Sequence, residues 1–342
     1  MSTKSNESRQ PRLASNKSLR PENLRHGFDA PGAWQKPLRI LPRMNQGLRD
    51  YWHRLAEWPA ALKRSLLGEL STGPWDRTWL GQARVILTGA SSGIGEALAR
   101  RLAFYGAHLS LAARSAEKVH RLAQDLRTFG RSQIIALGMD ITNPEDRKLL
   151  VDGTVYYLGG LDILINNAGV GASGLFEEGS PEQLRRIMET NFFAAAELTR
   201  LAIPHLAKSQ LGGMVVNISS VLGRRGVPGY ADYCASKFAL TGLSEALRVE
   251  LIVQGIHVLT VLPGLIDTPF NQHMLENRFR PPWREVRRMP ASQCAREIVA
   301  AILKRKNEVI ITAEGKLLVW ANRLAPALVD WVFAKLMQRY RP

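Results

Sequence analysis

A tyrosine and a lysine stand four residues apart in the segment "YADYCASKFAL" at residues 230–240. Residues i and i+4 share one face of an α-helix, so this spacing places Tyr233 and Lys237 side by side. A free phenol has a pKa of about 10, and a neighbouring ammonium lowers that pKa by favouring the phenolate. The pair is therefore either a proton-exchanging site or a solvated helix face, and an isolated Tyr-x-x-x-Lys match more often means the latter.

A second candidate site is the glycine-rich segment "GASSGIG" at residues 89–95, which follows the apolar run "RVILT". Gly89, Gly93 and Gly95 permit tight turning and a close approach of the backbone to a phosphate. The helix that follows would present free N–H groups and the positive end of its dipole to a pyrophosphate. Strand, turn and helix in this order indicate a dinucleotide site more strongly than the glycines alone.

The elements that must position these residues are short runs rich in Val, Ile and Leu. Seven such runs alternate with helical stretches: "RVILT", "HLSLAA", "QIIALG", "DILIN", "MVVNI", "HVLTVL" and "EVIIT". This alternation predicts βαβ units and a parallel sheet that is buried on both faces. We therefore predict an α/β protein with a Rossmann-type doubly wound fold, whose seven-stranded, mostly parallel sheet spans residues 84–312.

The ends of the chain have a different texture. Residues 1–45 are polar and basic and predict a disordered tail, and residues 46–83 predict an amphipathic helical extension. Residues 313–342 predict a C-terminal amphipathic helix whose charged residues and proline argue against a membrane-spanning segment. This helix either docks on the domain or on a second subunit, or it rests on a membrane surface.

The 342 residues carry a formal net charge of +16, which favours anionic partners such as phosphorylated cofactors and acidic membrane surfaces. Motifs typical of nucleic-acid recognition are missing from the sequence, so we expect no nucleic-acid partner. Cys234 and Cys294 form no disulfide framework, and the scattered histidines indicate no metal site. With no apolar signal-peptide core at the N-terminus, we expect a cytoplasmic protein that could attach peripherally to a membrane.

The ordered motifs resemble those of the short-chain dehydrogenase/reductase family over residues 84–312. They are "TGASSGIG" at 88–95, "NNAG" at 166–169, Asn191 in "METNFF", Ser220 in "NISS", "YCASK" at 233–237 and "PGLIDT" at 263–268. The resemblance implies a catalytic set of Asn191, Ser220, Tyr233 and Lys237. Tyr233 would be the general acid/base, Lys237 would lower its pKa and hold the nicotinamide ribose, Ser220 would bind the substrate carbonyl, and Asn191 would hold a water that links Lys237 to solvent.

The same resemblance implies a dinucleotide cofactor. Its predicted contacts are Thr88, Gly89, Ser91, Ser92, Gly93, Ile94, Gly95, Arg114, Asp140, Ile141, Asn167, Ala168, Gly169, Tyr233, Lys237, Pro263, Gly264, Ile266 and Thr268. Ala113 occupies the place where NAD users of this family tend to carry Asp, and Arg114 follows it. A guanidinium without a nearby carboxylate suits the 2′-phosphate of NADP, so NADP is favoured over NAD, although the glycine loop lacks a basic residue. Asp140 either contacts the adenine or caps local backbone together with Thr142.

The segment after "PGLIDTP" is where this family builds its substrate lid. It offers an apolar wall of Phe270, Met274, Leu275, Phe279 and Trp283 and positive charge at Arg278, Arg280, Arg284, Arg287 and Arg288, or else it is a solvated basic loop. The resemblance implies an NADP(H)-dependent oxidoreductase that interconverts a ketone and a secondary alcohol, with a lipophilic or acyl-type substrate, and a homo-oligomer. The alternative is a catalytically idle NADP-binding sensor or membrane-surface adaptor on the same fold.

Overall fold

Seven parallel strands form the central sheet. The described part of the chain contains nine strands: β1 (Arg84–Thr88), β2 (His108–Ala113), β3 (Ile134–Gly138), β4 (Ile163–Asn166), β5 (Met214–Ile218), β6 (His257–Pro263), β7 (Ile266–Asp267), β8 (Met289–Pro290) and β9 (Glu308–Ile311). Seven of them pair in the order β3-β2-β1-β4-β5-β6-β9, all in parallel, while β7 and β8 form a separate pair. The predicted Rossmann-type α/β fold is confirmed, and its sheet is wholly rather than mostly parallel.

The structure is a computed structural model that describes residues 79–128, 130, 132–279 and 286–338. The predicted disordered tail at 1–45 and residues 46–78 of the predicted helical extension lie outside these ranges. The described end of that extension, Trp79–Gln82, is a single 3₁₀ turn rather than an α-helix. Trp79 and Leu80 are buried in the core, so this turn packs on the sheet domain.

Helices cover both faces of the sheet. The helices among the described residues are α1 (Gly93–Phe104), α2 (Ala116–Arg127), α3 (Pro144–Leu158), α4 (Pro181–Met188), α5 (Ala194–Leu206), α6 (Ala231–Glu250), α7 (Ala291–Leu303), α8 (Ala313–Leu324) and α9 (Pro326–Gln338). A π-helical turn, Glu189–Phe193, joins α4 to α5. Val85 and Leu87 of β1 pack with residues of α1, α2 and α7, whereas Ile86 packs with residues of α3 and α5. Burial on both faces explains why the strand runs are continuously apolar.

The strand order reverses between β1 and β4. β2 and β3 follow on one side of β1, while β5, β6 and β9 follow on the far side of β4. In a doubly wound sheet, ligands bind in the crevice outside the carboxyl ends of the strands at such a reversal. Four of the predicted motifs follow these strand ends directly: Gly89 follows β1, Asn167 follows β4, Ser219 follows β5 and Gly264 follows β6. The topology therefore gathers motifs that are far apart in sequence.

The C-terminal segment forms two helices where the sequence pattern predicts one helix over 313–342. α8 ends at Leu324, and α9 begins at Pro326 after a bend of 120°. Proline lacks an N–H and disfavours helical backbone at the residue before it, and Ala325 accordingly adopts φ −145° and ψ 66°. Among the described residues no single helix has the length and apolar composition to cross a membrane, whereas α8 and α9 meet those two criteria only as a bent pair.

Candidate active site

A cleft of about 920 Å³ runs along the carboxyl edge of the sheet. Every predicted cofactor-contacting residue except Thr88 lines it, and so do Ser220, Tyr233 and Lys237 of the predicted catalytic set. Thr88 and Asn191 lie behind the lining, where they hold neighbouring backbone. The roles assigned to these residues stay predictions, but the fold does bring them together at one place.

The glycine loop lies against the segment that follows β4. Gly89 has a φ of 65°, and a Cβ at this position would be 2.8 Å from the Ala168 Cα. The Thr88 Oγ1 accepts hydrogen bonds from the Asn167 N–H at 3.0 Å and the Ala168 N–H at 3.1 Å. The Asn167 Nδ2 in turn donates to the Thr88 carbonyl at 2.9 Å. Only a residue without a side chain fits Gly89, because the two cofactor motifs contact each other there.

Helix α1 begins at the end of the glycine loop. Ser92 is its N-cap residue, yet the Ser92 side chain makes no capping hydrogen bond. Gly93, Ile94 and Gly95, which carry the first N–H groups of the helix, all line the cleft. A helix N-terminus of this kind binds an anionic phosphate through its free N–H groups and the positive end of its dipole. The loop therefore fits the pyrophosphate of a dinucleotide.

The far end of the cleft carries positive charge from the β2–α2 connection. Arg114 is exposed and lines the cleft, as do Ser115 and Lys118. The sequence analysis missed Lys118, although it follows Arg114 by only four residues. Asp140 also lines the cleft, but its Oδ1 accepts hydrogen bonds from the N–H of Thr142 at 3.0 Å and from the Thr142 hydroxyl at 2.9 Å. Asp140 therefore caps the local backbone together with Thr142, as the sequence analysis allowed, and its predicted contact with the adenine stays a prediction.

Helix α6 carries Tyr233 and Lys237 on its cleft face. The Lys237 Nζ lies 5.6 Å from the centroid of the Tyr233 ring and donates a hydrogen bond to the Ile218 carbonyl at 3.0 Å. Lys237 is only 4% exposed, so its ammonium lies in the protein interior rather than on a solvated helix face. The interpretation of the Tyr-x-x-x-Lys pair as a solvated surface is therefore wrong for this chain.

Burial changes the acid–base behaviour of both residues. It raises the pKa of Tyr233 well above that of a free phenol, and a hydrogen bond with Ser220 offsets only part of this rise. Burial also lowers the pKa of Lys237 to about 8. The expectation that Lys237 and the positive charge of a bound nicotinamide together lower the pKa of Tyr233 concerns the complex with the cofactor, and it stays a prediction. In the protein alone, loss of hydration disfavours the charged form of both side chains.

Ser220 is poised at the end of β5. Its Oγ accepts a hydrogen bond from the Leu222 N–H at 3.1 Å and donates a long one to the Pro263 carbonyl at 3.4 Å. The neighbouring Ser219 has a different environment, because its Oγ bonds to the Lys237 carbonyl at 3.0 Å and to Thr241 at 2.8 Å. Ser219 therefore anchors helix α6, while Ser220 faces the cleft.

Asn191 lies in the π-helical turn between α4 and α5. Its Nδ2 donates to the Val170 carbonyl at 2.8 Å and to Ser236 at 2.9 Å, and its Oδ1 accepts from the Val170 N–H at 2.8 Å. Both amide hydrogens are thus engaged by protein groups. Asn191 holds the backbone around Gly169 against Lys237, since a Cβ on Gly169 would lie 3.5 Å from the Lys237 Nζ. Its predicted role in holding a water stays a prediction.

The predicted substrate wall is only partly formed as expected. Phe270, Met274 and Arg288 line the cleft, and the Phe270 ring lies 5.7 Å from the Tyr233 ring. Leu275 instead packs against Val170, Ala172 and Ile187, and Phe279 is buried beside Tyr230. The assignments of Leu275 and Phe279 to the substrate wall are therefore corrected, because these two side chains pack against the protein interior instead of lining the cleft. Arg280, Trp283 and Arg284 lie outside the described residues.

The predicted positive charges of this segment are only partly at the cleft. Arg278 bonds to Glu276 at 3.0 Å and does not line the cleft, which fits the solvated basic loop that the sequence left as the alternative. Arg287 is exposed and is not part of the cleft lining either. Burial raises the pKa of the Cys234 thiol, which indicates helix packing rather than a nucleophile. In the described part of the chain, no group of three His, Cys, Asp or Glu side chains is placed to hold a metal ion.

Several cleft residues come from segments that the sequence analysis did not assign to the site. Leu222, Val227 and Tyr230 follow Ser220 along the chain, and Leu318 and Phe333 belong to α8 and α9. The positions of Leu318 and Phe333 depend on how helices α8 and α9 pack against the rest of the domain, and no local sequence pattern reveals this packing.

Comparison with known proteins places this architecture in a family. The family model for short chain dehydrogenases matches residues 83–278. The 11-beta-hydroxysteroid dehydrogenase A of Arachis hypogaea is 36% identical over 266 residues, which cover 74% of this chain and 74% of that protein. An uncharacterized oxidoreductase of Bacillus subtilis is 32% identical over 257 residues, which cover 74% of this chain and 72% of that protein.

Solved structures show the same fold. A short chain dehydrogenase/reductase from Burkholderia phymatum in complex with NAD has a TM-score of 0.65 and 25% identity, over 72% of this chain and 95% of that one. An alcohol dehydrogenase from Thermococcus sibiricus complexed with 5-hydroxy-NADP has a TM-score of 0.59 and 25% identity, over 66% of this chain and 94% of that one. These similar proteins include one solved with NAD and one with an NADP derivative.

Proposed function

Since the chain belongs to the short-chain dehydrogenase family and is an oxidoreductase, we propose that it interconverts a ketone and a secondary alcohol with NADP(H). The observation that carries this proposal is the cleft itself. Ser220, Tyr233 and Lys237 line it near the ends of β5 and β6, and Arg114 and Lys118 line it at the β2–α2 connection. One cleft therefore combines groups for carbonyl chemistry with groups that suit a phosphorylated cofactor.

The chain's own residues suffice to handle the proton in this reaction. The Tyr233 phenol holds a proton at neutral pH, as a free phenol with a pKa of about 10 also does, and it would donate that proton to a ketone oxygen. The Ser220 hydroxyl would donate a hydrogen bond to the same oxygen and stabilise the developing negative charge. When bound, the nicotinamide would deliver the hydride during reduction and accept it during oxidation. The Lys237 ammonium donates one hydrogen bond to the Ile218 carbonyl, and its other N–H groups would hold the nicotinamide ribose.

The residues at the cofactor end fit NADP better than NAD. Ala113 provides no carboxylate to bind a ribose 2′-hydroxyl or to repel a 2′-phosphate, and Arg114 and Lys118 supply two cations along the cleft. The glycine loop and the N-terminus of α1 would hold the pyrophosphate in either case. NADP(H) is therefore our proposal for the cofactor.

The substrate end of the cleft suits a lipophilic ketone. Its lining includes the apolar side chains of Leu222, Val227, Phe270, Met274 and Leu318. A relative named as a hydroxysteroid dehydrogenase makes a steroid ketone a reasonable first compound to test. The interpretation as an idle sensor is less well supported, because Asn191, Ser220, Tyr233 and Lys237 are all present and no relative points to it.

The decisive experiment follows NADPH absorbance with the purified chain and a panel of steroid, long-chain acyl and small cyclic ketones. We expect NADPH consumption with at least one lipophilic ketone. Tyr233→Phe should lower kcat by about a thousandfold or more, because it removes the proton donor but little volume, whereas the Kd for NADPH should stay within about twofold. Turnover by Tyr233→Phe at the rate of the unchanged chain would refute the assigned proton donor.

We also propose that the protein is a homo-oligomer that attaches peripherally to the cytoplasmic face of a membrane. Helices α5 and α6 and the adjoining π-helical turn expose Phe193, Leu201, Phe238 and Val249, which supports self-association. Helices α8 and α9 expose a second apolar surface, which we call the C-terminal apolar face: Leu317, Trp320, Leu324, Leu328, Trp331 and Val332. An interfacial helix pair of this kind can bury apolar side chains among lipid headgroups.

A further inference from the structure

The C-terminal helices form one wall of the cleft. Leu318 of α8 and Phe333 of α9 line the same cleft as Ser220 and Tyr233. The match to the family model ends at residue 278, so this wall lies beyond the part of the chain that the family model describes. Residues in this wall could therefore give this chain a substrate selectivity that the family model does not describe.

Helix α8 is packed firmly onto the segment that follows Ser220. Val319 is 2% exposed and packs with Val221 and Leu262. A Cβ on Gly315 would lie 2.8 Å from the Val221 Cγ1, so the backbone of α8 directly contacts this segment. The position of Leu318 therefore follows from apolar packing.

Helix α9 has much less apolar packing. Val329 is its one buried side chain, and Leu328, Trp331 and Val332 are exposed. Something other than the hydrophobic core must therefore hold α9 at its angle to α8.

Arg225 supplies that hold by contacting both helices. Its Nη1 donates to the Asn322 Oδ1 of α8 at 3.0 Å, and its Nη2 pairs with the Asp330 Oδ1 of α9 at 2.5 Å. Its Cζ also lies 5.4 Å from the centroid of the Phe333 ring. The Arg225 side chain is only 14% exposed, whereas its partner Asp330 is 67% exposed, so the guanidinium is held from the protein side and the ion pair forms at the surface. A planar guanidinium that bridges two helices sets the angle between them.

Arg225 is itself fixed to the catalytic segment. Its N–H donates to the Val221 carbonyl at 3.1 Å, and Val221 follows Ser220 directly. The side chain therefore spans from the loop that carries Ser220 to the ring of Phe333 in the cleft wall.

We propose that Arg225 is a positioning residue that holds Phe333 against the substrate and so sets selectivity for bulky ketones. The selectivity rests on the proposed ketone reduction, whereas the clasp between Arg225, Asn322, Asp330 and Phe333 does not. A bulky ketone extends from Tyr233 to the wall and contacts Phe333, while a small ketone occupies only the space near Tyr233. Loosening α9 therefore weakens binding of the bulky substrate and leaves the chemical step intact.

The test compares Arg225→Met with the unchanged chain, using cortisone as the bulky ketone and cyclohexanone as the small one. We expect Arg225→Met to raise the KM for cortisone about tenfold, the size of losing one charge-assisted hydrogen bond. Both kcat values and the KM for cyclohexanone should stay within about twofold. The matched control is Arg100→Met, which removes an arginine paired with Glu96 and Asp125 away from the cleft and should change neither KM.

Asp330→Asn provides a second, milder variant because Asp330 is 67% exposed and tolerates substitution. It should reproduce the effect of Arg225→Met in part, and the double variant should add little, because both act through one contact. Hydrogen exchange of residues 326–338 should accelerate in both variants but not in Arg100→Met. An equal loss with both ketones, or an unchanged KM for cortisone, would overturn the selectivity role. If the unchanged chain reduces no ketone of the panel, the proposed function fails and the selectivity role fails with it, whereas unaccelerated exchange in Arg225→Met would separately refute the clasp.

Discussion

Tyr233 and Lys237 show how burial, rather than proximity, sets acid–base behaviour. Burial disfavours the charged form of both groups, so the phenol holds its proton more tightly and the ammonium releases its proton more easily than in water. A raised pKa keeps the phenol protonated at neutral pH but makes it a weaker acid, because general acid catalysis is most efficient when the pKa lies near the working pH. For the reverse reaction, a positive charge on the oxidised nicotinamide would favour the tyrosinate.

The lowered pKa of Lys237 predicts a pH dependence of stability. Between about pH 8 and 10 the unfolded chain binds the lysine proton and the folded chain does not, so the free energy of unfolding gains a contribution that rises with pH. Tyr233 and the two cysteines have raised pKa values and act in the opposite sense, but they are common to a Lys237→Met variant. The difference in free energy of unfolding between the unchanged chain and Lys237→Met should therefore rise across this range.

Urea unfolding without added cofactor, at several pH values, measures this difference. Lys208→Met is the control, because Lys208 is exposed on the surface. A difference between the unchanged chain and Lys237→Met that stays flat from about pH 8 to 10 would contradict the buried, proton-releasing lysine.

The β2–α2 connection is the element that should select the cofactor. It brings Arg114 and Lys118 to one side of the cleft, and helix α2 begins between them at Ala116. The charge of a guanidinium at this place stabilises a 2′-phosphate but contributes little to the binding of a 2′-hydroxyl.

Arg114→Asp should therefore shift preference from NADPH to NADH. We expect the KM for NADPH to rise about tenfold or more, because attraction to the phosphate is replaced by repulsion, while the KM for NADH changes much less. Arg121→Asp makes the same change of charge on the neighbouring helix α2, at an exposed residue paired with Glu117, and it should leave the preference intact. Steady-state kinetics with both cofactors decides this. A preference for NADH in the unchanged chain would contradict our interpretation of Arg114.

The protein as a whole carries a formal net charge of +16, and its helices α8 and α9 expose the C-terminal apolar face. Trp320 and Trp331 lie on this face with 54% and 58% exposure. Apolar burial and attraction between cations and acidic lipids together can hold a protein at a membrane surface. The face and the cleft wall share helices α8 and α9, so a membrane contact would lie near the entry of a lipophilic substrate.

The full chain should therefore co-sediment with vesicles that contain phosphatidylserine at low salt, and less so at high salt, since salt screens the cations. Trp320→Glu combined with Trp331→Glu should remain in the supernatant. Tyr156→Glu combined with Tyr157→Glu alters a similarly exposed aromatic pair on α3 and should sediment like the unchanged chain. A full chain that stays in the supernatant at low salt would exclude this membrane contact.

The sheet, its seven strands and the place of the cofactor loop could all be predicted from the amino-acid sequence. Runs such as "RVILT" are apolar because both faces of a central strand are buried, so the sequence alone indicates such strands. The spacing of Tyr233 and Lys237 likewise follows from the geometry of one helix. Local periodicity and the order of the motifs were therefore sufficient to predict the fold and to identify Tyr233, Lys237 and the glycine loop as candidate site residues.

Features that depend on contacts between distant residues could not be predicted and became apparent only in the folded chain. Arg225 and Asp330 are 105 residues apart in the chain, and nothing in the sequence near either residue indicates that they pair. The same holds for Phe333 in the cleft wall, for Phe279 buried beside Tyr230 rather than facing a substrate, and for the raised pKa of Tyr233. Burial and long-range pairing are properties of the packed chain, so they emerge only when its segments are brought together.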